Sequence, residues 1–389
     1  MKPREICKGV QWVGAVDWNR RLFDSLIPLP DGTSYNAYLV KGSEKIALLD
    51  AVDPVMEVVL AEHLSDIERI DYVVSHHVEQ DHSGAIPFVL KKYSQAIVLC
   101  SVKAKPMLVE HLGIAPERIK TVEDGETLSL GDKTLRFVYT PWVHWPETMS
   151  TYLPEDRIIF SCDFFGSHLA TSELYAGKDP HILEGAKRYY AEIMMPFRQA
   201  IQNNLKKVRE LKIAMIAPSH GPVYDHPEAI ISAYEDWSSP RVSNTVVIPY
   251  ISMHGSTQMM VDHLTAKLIE YGIKVEKFEL STADIGKLAM SLVDAATIVI
   301  GTPTVLVGAH PSVLAAVNLA NAIRPKLKYA AIIGSYGWAG KATEQILSSI
   351  PNIKVEVLAT VMCKGMPRAE EFSALDNLAA KIKEKHAVL

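Results

Sequence analysis

The stretch SHHVEQDHSG, Ser75–Gly84, holds three histidines (His76, His77, His82) and two carboxylates (Glu79, Asp81). It follows the apolar run IDYVV, which has the character of a buried β-strand, so these side chains emerge where a strand ends. Loops at strand ends let ligands converge without loss of core packing. In extended backbone, residues two apart face the same way. His77 and Glu79 therefore reach one metal, and His76 faces away. Asp81 and His82 are adjacent, point differently and suit a second metal. Ser83-Gly84 then permits a sharp turn into AIPFVLKKY.

Two metals need more donors than one loop supplies. Other strand ends offer His144 in TPWVHWPETM, Asp163 closing RIIFSCD, and His220 closing KIAMIAPSH. With the loop these make four histidines and three carboxylates, and Asp163 is placed to bridge two ions. Without a thiolate, the set is hard to borderline and suits Fe, Mn or Zn. Two divalent ions, three carboxylates and a bridging hydroxide come close to neutrality, which makes burial tolerable.

The chain of 389 residues is longer than one core comfortably supports, and the grammar changes near residue 240. Residues 1–240 alternate short strands, turns and some helices, including a hairpin over Glu126–Pro141 turning at Gly131-Asp132. The Pro/Ser segment Glu235–Asn244 is the expected linker. Residues 241–389 show strict strand–helix alternation: TVVIPY, IKVEKFEL, TIVIGTP, YAAIIGSYG and IKVEVLA, each followed by a helix. In the first of these helices Met260, Leu264 and Leu268 recur at helical spacing before Gly272. Five such strands predict a doubly wound parallel sheet.

The loop after the first strand of this half, Ser252, Met253, His254, Gly255, Ser256 and Thr257, has hydroxyls, a permissive glycine and a helix N-terminus. Those are the parts of an anion cradle, and the absence of GxGxxG favours a mononucleotide. Two later strand ends fall beside the expected switch point, where a flavodoxin-like fold binds FMN. They are GTPTVLVGAH, with Pro303, Thr304, Val305 and Gly308, and GSYGWAG, with Ser335, Tyr336, Gly337, Trp338, Ala339 and Gly340. Trp338 is the natural stacking face for an isoalloxazine ring, with Tyr336 at its edge.

The net charge of −5 argues against nucleic acid as the main partner, and no apolar run reaches the ~20 residues that span a bilayer. The start has no signal-peptide pattern, and Cys7, Cys100, Cys162 and Cys363 are scattered without a CxxC pair. A cytoplasmic setting is expected.

His77-x-Glu79-x-Asp81-His82 with His144, Asp163 and His220 resembles the metal set of the metallo-β-lactamase fold, whose hydrolases carry HxHxDH. Here glutamate stands at their second histidine. That change, with HWPETM, SCDFFG and APSHGPVY, resembles the flavodiiron proteins (type A flavoproteins). The resemblance implies an α/β chain: an N-terminal metallo-β-lactamase-like αββα sandwich and a C-terminal flavodoxin-like doubly wound parallel sheet. It puts His77, Glu79 and His144 on one iron, Asp81, His82 and His220 on the other, with Asp163 bridging. His168 and Tyr190 are implied outer residues. It further implies FMN, an external electron donor (F420H2 or rubredoxin), and a head-to-tail homodimer or dimer of dimers. The apolar Val305-Leu306-Val307 departs from the polar residues of rubredoxin-linked members and tilts the donor toward F420H2. O2 reduction to water is expected, with NO reduction to N2O as the alternative. A di-zinc hydrolase and a non-catalytic electron carrier are the remaining rivals.

Overall fold

The computed structural model describes residues 2–338 and 340–389, so Ala339 of the expected flavin loop lies outside the described residues. The chain divides into two compact units, one of Met1–Tyr190 and Phe197–Ser238, the other of Ala191–Pro196 and Ser239–Leu389. The expected linker is mostly ordered: the helix Pro227–Ser238 takes its first part and the strand Ser243–Tyr250 its last.

The first unit holds a seven-stranded and a five-stranded sheet. Strand alternation assigns their faces. Tyr38, Val40, Ala47, Leu49, Val74 and Leu99 join Phe137, Met149, Ile158 and Phe160 in one core between the sheets. The intervening Leu39, Leu48, Val73 and Val98 point the other way, onto the helical residues Leu60, Val89 and Leu108. Strands Met149–Leu153 and Ile158–Cys162 are buried at every position, so the second sheet is covered on both faces. Tyr152 on this sheet donates its hydroxyl to the Lys212 carbonyl, and Asn204 of the helix Arg198–Arg209 donates to Pro141 O. The result is an α/β/β/α sandwich.

Each sheet contains a parallel pair: Ile46–Leu49 with Tyr72–Val74, and Ile158–Cys162 with Met215–Pro218. The loops carrying His77 to His82, Asp163 and His220 leave the C-terminal ends of three of these strands, where side chains of successive loops can converge, and His144 follows the strand Thr134–Tyr139.

In the second unit the strands lie in the spatial order Lys274–Glu279, Ser243–Tyr250, Ala295–Val305, Tyr329–Tyr336, Glu356–Lys364, all parallel. By chain order this is 2-1-3-4-5, the flavodoxin-like arrangement, with its switch point between the first and third strands. Among the described residues no helix is long and apolar enough to cross a membrane.

Candidate metal centre and flavin cleft

The loop after Val74 is pinned from both sheets. His76 is fully buried and faces away from His77: its Nδ1 lies 2.7 Å from Asp50 Oδ2 and its Nε2 2.7 Å from Thr151 Oγ1. Asp50 also accepts the His76 backbone N–H, and the His76 carbonyl accepts that of Met149. The short helix Gln80–Ser83 then turns Asp81 and His82 inward.

Two groups of donors form. His77, Glu79, His144 and Asp163 make one; Asp81, His82 and His220 make the other. In the first, the Nε2 atoms of His77 and His144 each lie 3.1 Å from Glu79 Oε2, and 3.6 and 3.5 Å from Asp163 Oδ2. In the second, Asp163 Oδ1 lies 3.0 Å from His82 Nε2 and 3.4 Å from His220 Nε2, while Asp81 is 3.3 and 3.2 Å from the same nitrogens. Asp163 thus turns one oxygen to each group. Donors about 2.1 Å from one ion are themselves separated by about 3.0–3.4 Å, so these spacings suit ligation. The buried Asp81 Oδ1 and Oδ2, His82 Nε2 and Asp163 Oδ2 have no hydrogen-bond partner among the described residues, as befits metal donors. His82 faces into the second group.

Electrostatics follow from the crowding. Burial alone would raise the Glu79 and Asp163 carboxyls and lower the imidazoles. For Glu79, hydrogen bonds from His144 and His77 win and hold it below the usual carboxylate range; for Asp163, the His82 charge and the close His144 and His220 imidazoles do the same. The neighbouring Asp163 and Glu79 push His144 up to about 9, and Asp163 and Asp81 push His220 to about 10. Cys162 Sγ also lies within reach of His82 and Asp163, but burial holds its thiol protonated, well above the ordinary range.

Three neighbours were not read from the sequence. Glu147 Oε1 lies 2.7 Å from His77 Nδ1; its position close to His144 in HWPETM is the sequence signal for it. Asp24 reaches Glu79 from a two-stranded hairpin, Leu22–Phe23 with Ile27–Pro28, and burial with the nearby Glu79 and Asp81 charges raises its carboxyl. The third is a correction. The tyrosine beside the donors is Tyr189, whose ring is 5.7 Å from that of His220 and whose buried hydroxyl is pushed up by burial and by the nearby Asp163 charge. Tyr190, one residue on, packs against Tyr234 and Trp237 instead. His168 does border the site: its ring is 4.7 Å from His220 and its Nδ1 2.9 Å from Thr33 Oγ1.

In the second unit a cleft of about 320 Å³ opens at the C-terminal edge of the sheet. Ser252, Met253, His254, Ser256, Pro303, Thr304, Ser335, Tyr336 and Gly337 line it, joined by Gly365 and Met366 from the end of the fifth strand, which the sequence reading passed over. Gly255, at φ 89°, precedes the helix Ser256–Glu270, and the Thr257 hydroxyl is 3.3 Å from Ser335 Oγ. Gly340 comes so near Thr304 that a Cβ there would lie 3.0 Å from Oγ1. Val305 and Gly308 pair across a two-residue turn, and Leu306 at its tip is 93% exposed. Trp338 is 78% exposed and lies outside the lining residues.

A sandwich with paired donor groups at its strand ends, followed by a 2-1-3-4-5 sheet with a polar cleft, defines a metallo-β-lactamase-like domain joined to a flavodoxin-like one. The family model for the ODP family beta lactamase matches residues 33–221. A nitric oxide reductase of Moorella thermoacetica is 34% identical over 99% of both chains, and a coenzyme F420H2 oxidase of Methanothermobacter marburgensis 32% over 98% of both. The solved rubredoxin oxygen:oxidoreductase of Desulfovibrio gigas superposes with a TM-score of 0.95 at 27% identity, covering 99% of each chain. The chain belongs to the flavodiiron (type A flavoprotein) family.

Proposed function

We propose that this protein is a flavodiiron oxidoreductase that reduces O2 to water, with FMN in the second-unit cleft and two irons in the paired donor groups. Asp163, with one oxygen toward each group, is the observation that carries the reading. Electrons come from an external donor, F420H2 or a rubredoxin-type protein, and the working form is a head-to-tail homodimer or dimer of dimers. NO reduction to N2O is the second reading, favoured by the relative named nitric oxide reductase.

The residues fit the cofactors. When bound, iron supplies one-electron redox chemistry and open coordination positions, and FMN converts electron pairs to single electrons. Glu79 gives the first group an anionic oxygen donor where the hydrolases have imidazole, which suits oxidised iron better than a purely Lewis-acidic zinc. Glu147 and the Ser34 carbonyl accept from Nδ1 of His77 and His220, which fixes both rings with Nε2 toward the donors. The Tyr189 hydroxyl, pushed up by burial and by Asp163, keeps its proton near the bridging carboxylate. His168, pushed down by burial and the neighbouring His220, stays neutral beside the donors. His77, His82, His220 and Asp163 are at most 1% exposed, whereas Glu79 and His144 side chains are 14% exposed, so small substrates enter on their side.

The test is anaerobic reduction of the FMN- and iron-loaded protein, followed by separate pulses of O2 and NO. Rapid flavin reoxidation by one or both supports the reading and ranks the gases. If neither reoxidises the flavin, the enzyme reading fails. Zinc in the isolated protein together with thioesterase activity would favour the hydrolase.

A further inference from the structure

The histidines of the two donor groups are backed unequally. His77 Nδ1 meets a carboxylate, Glu147 Oε1, at 2.7 Å. His220 Nδ1 meets a neutral carbonyl, Ser34 O, at 2.6 Å. His82 Nδ1 is buried and has no hydrogen-bond partner among the described residues. Glu147 is 1% exposed and held firmly: Oε1 also accepts the Val78 N–H at 3.2 Å, and its backbone carbonyl accepts the Ser101 hydroxyl at 2.6 Å.

A carboxylate can only accept, so His77 Nδ1 carries a proton, and with an ion bound Nε2 would offer its lone pair to it. The negative charge behind the ring makes it a stronger donor, and a buried charge is felt strongly. Counting anions, the first group has Glu79, a share of Asp163, and Glu147 one bond further out. The second has Asp81 and its share of Asp163. The first group is also the better hydrated, through the partly exposed Glu79 and His144. Both differences favour the higher positive charge on the His77 side.

We propose that Glu147 tunes the metal pair through His77, so that the ion held by His77, Glu79 and His144 is the ferric one whenever one iron is ferric and the other ferrous. This rests on the di-iron reading above. Glu147 is a positioning residue: it acts on the metal only through the imidazole. Outer partners of this kind change metal affinity by about 10–100-fold, and a tenfold change in preference for the oxidised ion corresponds to 59 mV in a one-electron couple.

The experiment is a redox titration of the iron-loaded full chain between dithionite and ferricyanide, followed by electron paramagnetic resonance of the mixed-valent form. Wild type, Glu147→Gln and Glu147→Asp are compared, with iron counted per chain. In Glu147→Gln the first oxidation, from two ferrous ions to one, rises by at least about 59 mV, the second moves less, and the mixed-valent g-values shift. Glu147→Asp, which keeps the charge, falls between the two. A shift confined to the second oxidation would place the ferric ion in the other group and overturn the proposal. Unchanged potentials in a variant with full iron would overturn it too. If neither variant retains two irons, Glu147 is a structural clamp and the tuning role falls. Wild-type reoxidation by O2 or NO is measured in parallel, so failure of the tuning is distinguishable from failure of the enzymatic reading.

Discussion

His76 Nε2 lies 2.7 Å from Thr151 Oγ1, tying the donor-rich loop on one sheet to a strand of the other. With Asp50 on its other nitrogen, the ring is a clasp across the sandwich. His76→Ala would strand a buried carboxylate and a buried hydroxyl. We expect a loss of about 2–4 kcal/mol in the metal-free protein, read as a lower urea midpoint with unchanged slope. A loss under about 1 kcal/mol would show that the clasp adds little to the fold.

Asp163 faces both donor groups, so its replacement should damage both sites at once. Asp163→Asn keeps the shape and removes the charge. Bound iron is expected to fall from two per chain to one or fewer, counted by elemental analysis after desalting. Two tightly held irons in this variant would show that Asp163 does not bridge.

In the metal-free protein the donor cluster is a set of ion pairs, and its pH dependence has a definite sign. His144 and His220, raised to about 9 and about 10, contribute stability that is complete below their unfolded value near 6.5 and is lost as pH rises through the raised ones. Glu79 and Asp163, held low, contribute above about pH 4 and lose that contribution in acid. Melting of the chelator-treated protein should therefore peak between about pH 5 and 6.5 and decline toward pH 10. Ligation needs neutral imidazole, so ferrous ion added anaerobically at pH 7.5 should release protons to an indicator dye. No release at that pH would contradict the ion-paired cluster.

The Thr304 hydroxyl is buried and has no partner among the described residues. If it bonds FMN, Thr304→Val should leave the flavin-free stability unchanged and weaken FMN about fivefold, roughly the worth of one hydrogen bond. Fluorescence titration of the apoprotein reads this directly. Unaltered affinity would remove Thr304 from the flavin contacts.

Much of the candidate site could be read along the chain because its residues sit at strand ends, where apolar runs stop and a polar side chain has few other reasons to lie. His77, Glu79, Asp81, His82, His144, Asp163 and His220 each follow such a break or the hairpin beside it, and the structure brings all seven together. The strand–helix rhythm of residues 241–389 likewise fixes a doubly wound sheet, since parallel strands need crossovers of one hand.

Other features depended on the tertiary structure. A period-two pattern places His76 away from His77, but only packing of the two sheets decides that it meets Thr151. Tyr189 and Tyr190 are identical in sequence character; successive helical residues point about 100° apart, and only the packing decides that Tyr189 faces His220 and Tyr190 faces Trp237. Glu147 reads as an ordinary acidic residue until the turn after Pro146 lays it against a ring 70 positions earlier. The sequence by itself determined which residues can bind metal and which sheets form, because composition and periodicity are local. Which donor shares Asp163, and which imidazole has a charge behind it, required the chain to close, because those interactions join residues far apart in sequence and depend on burial to have their strength.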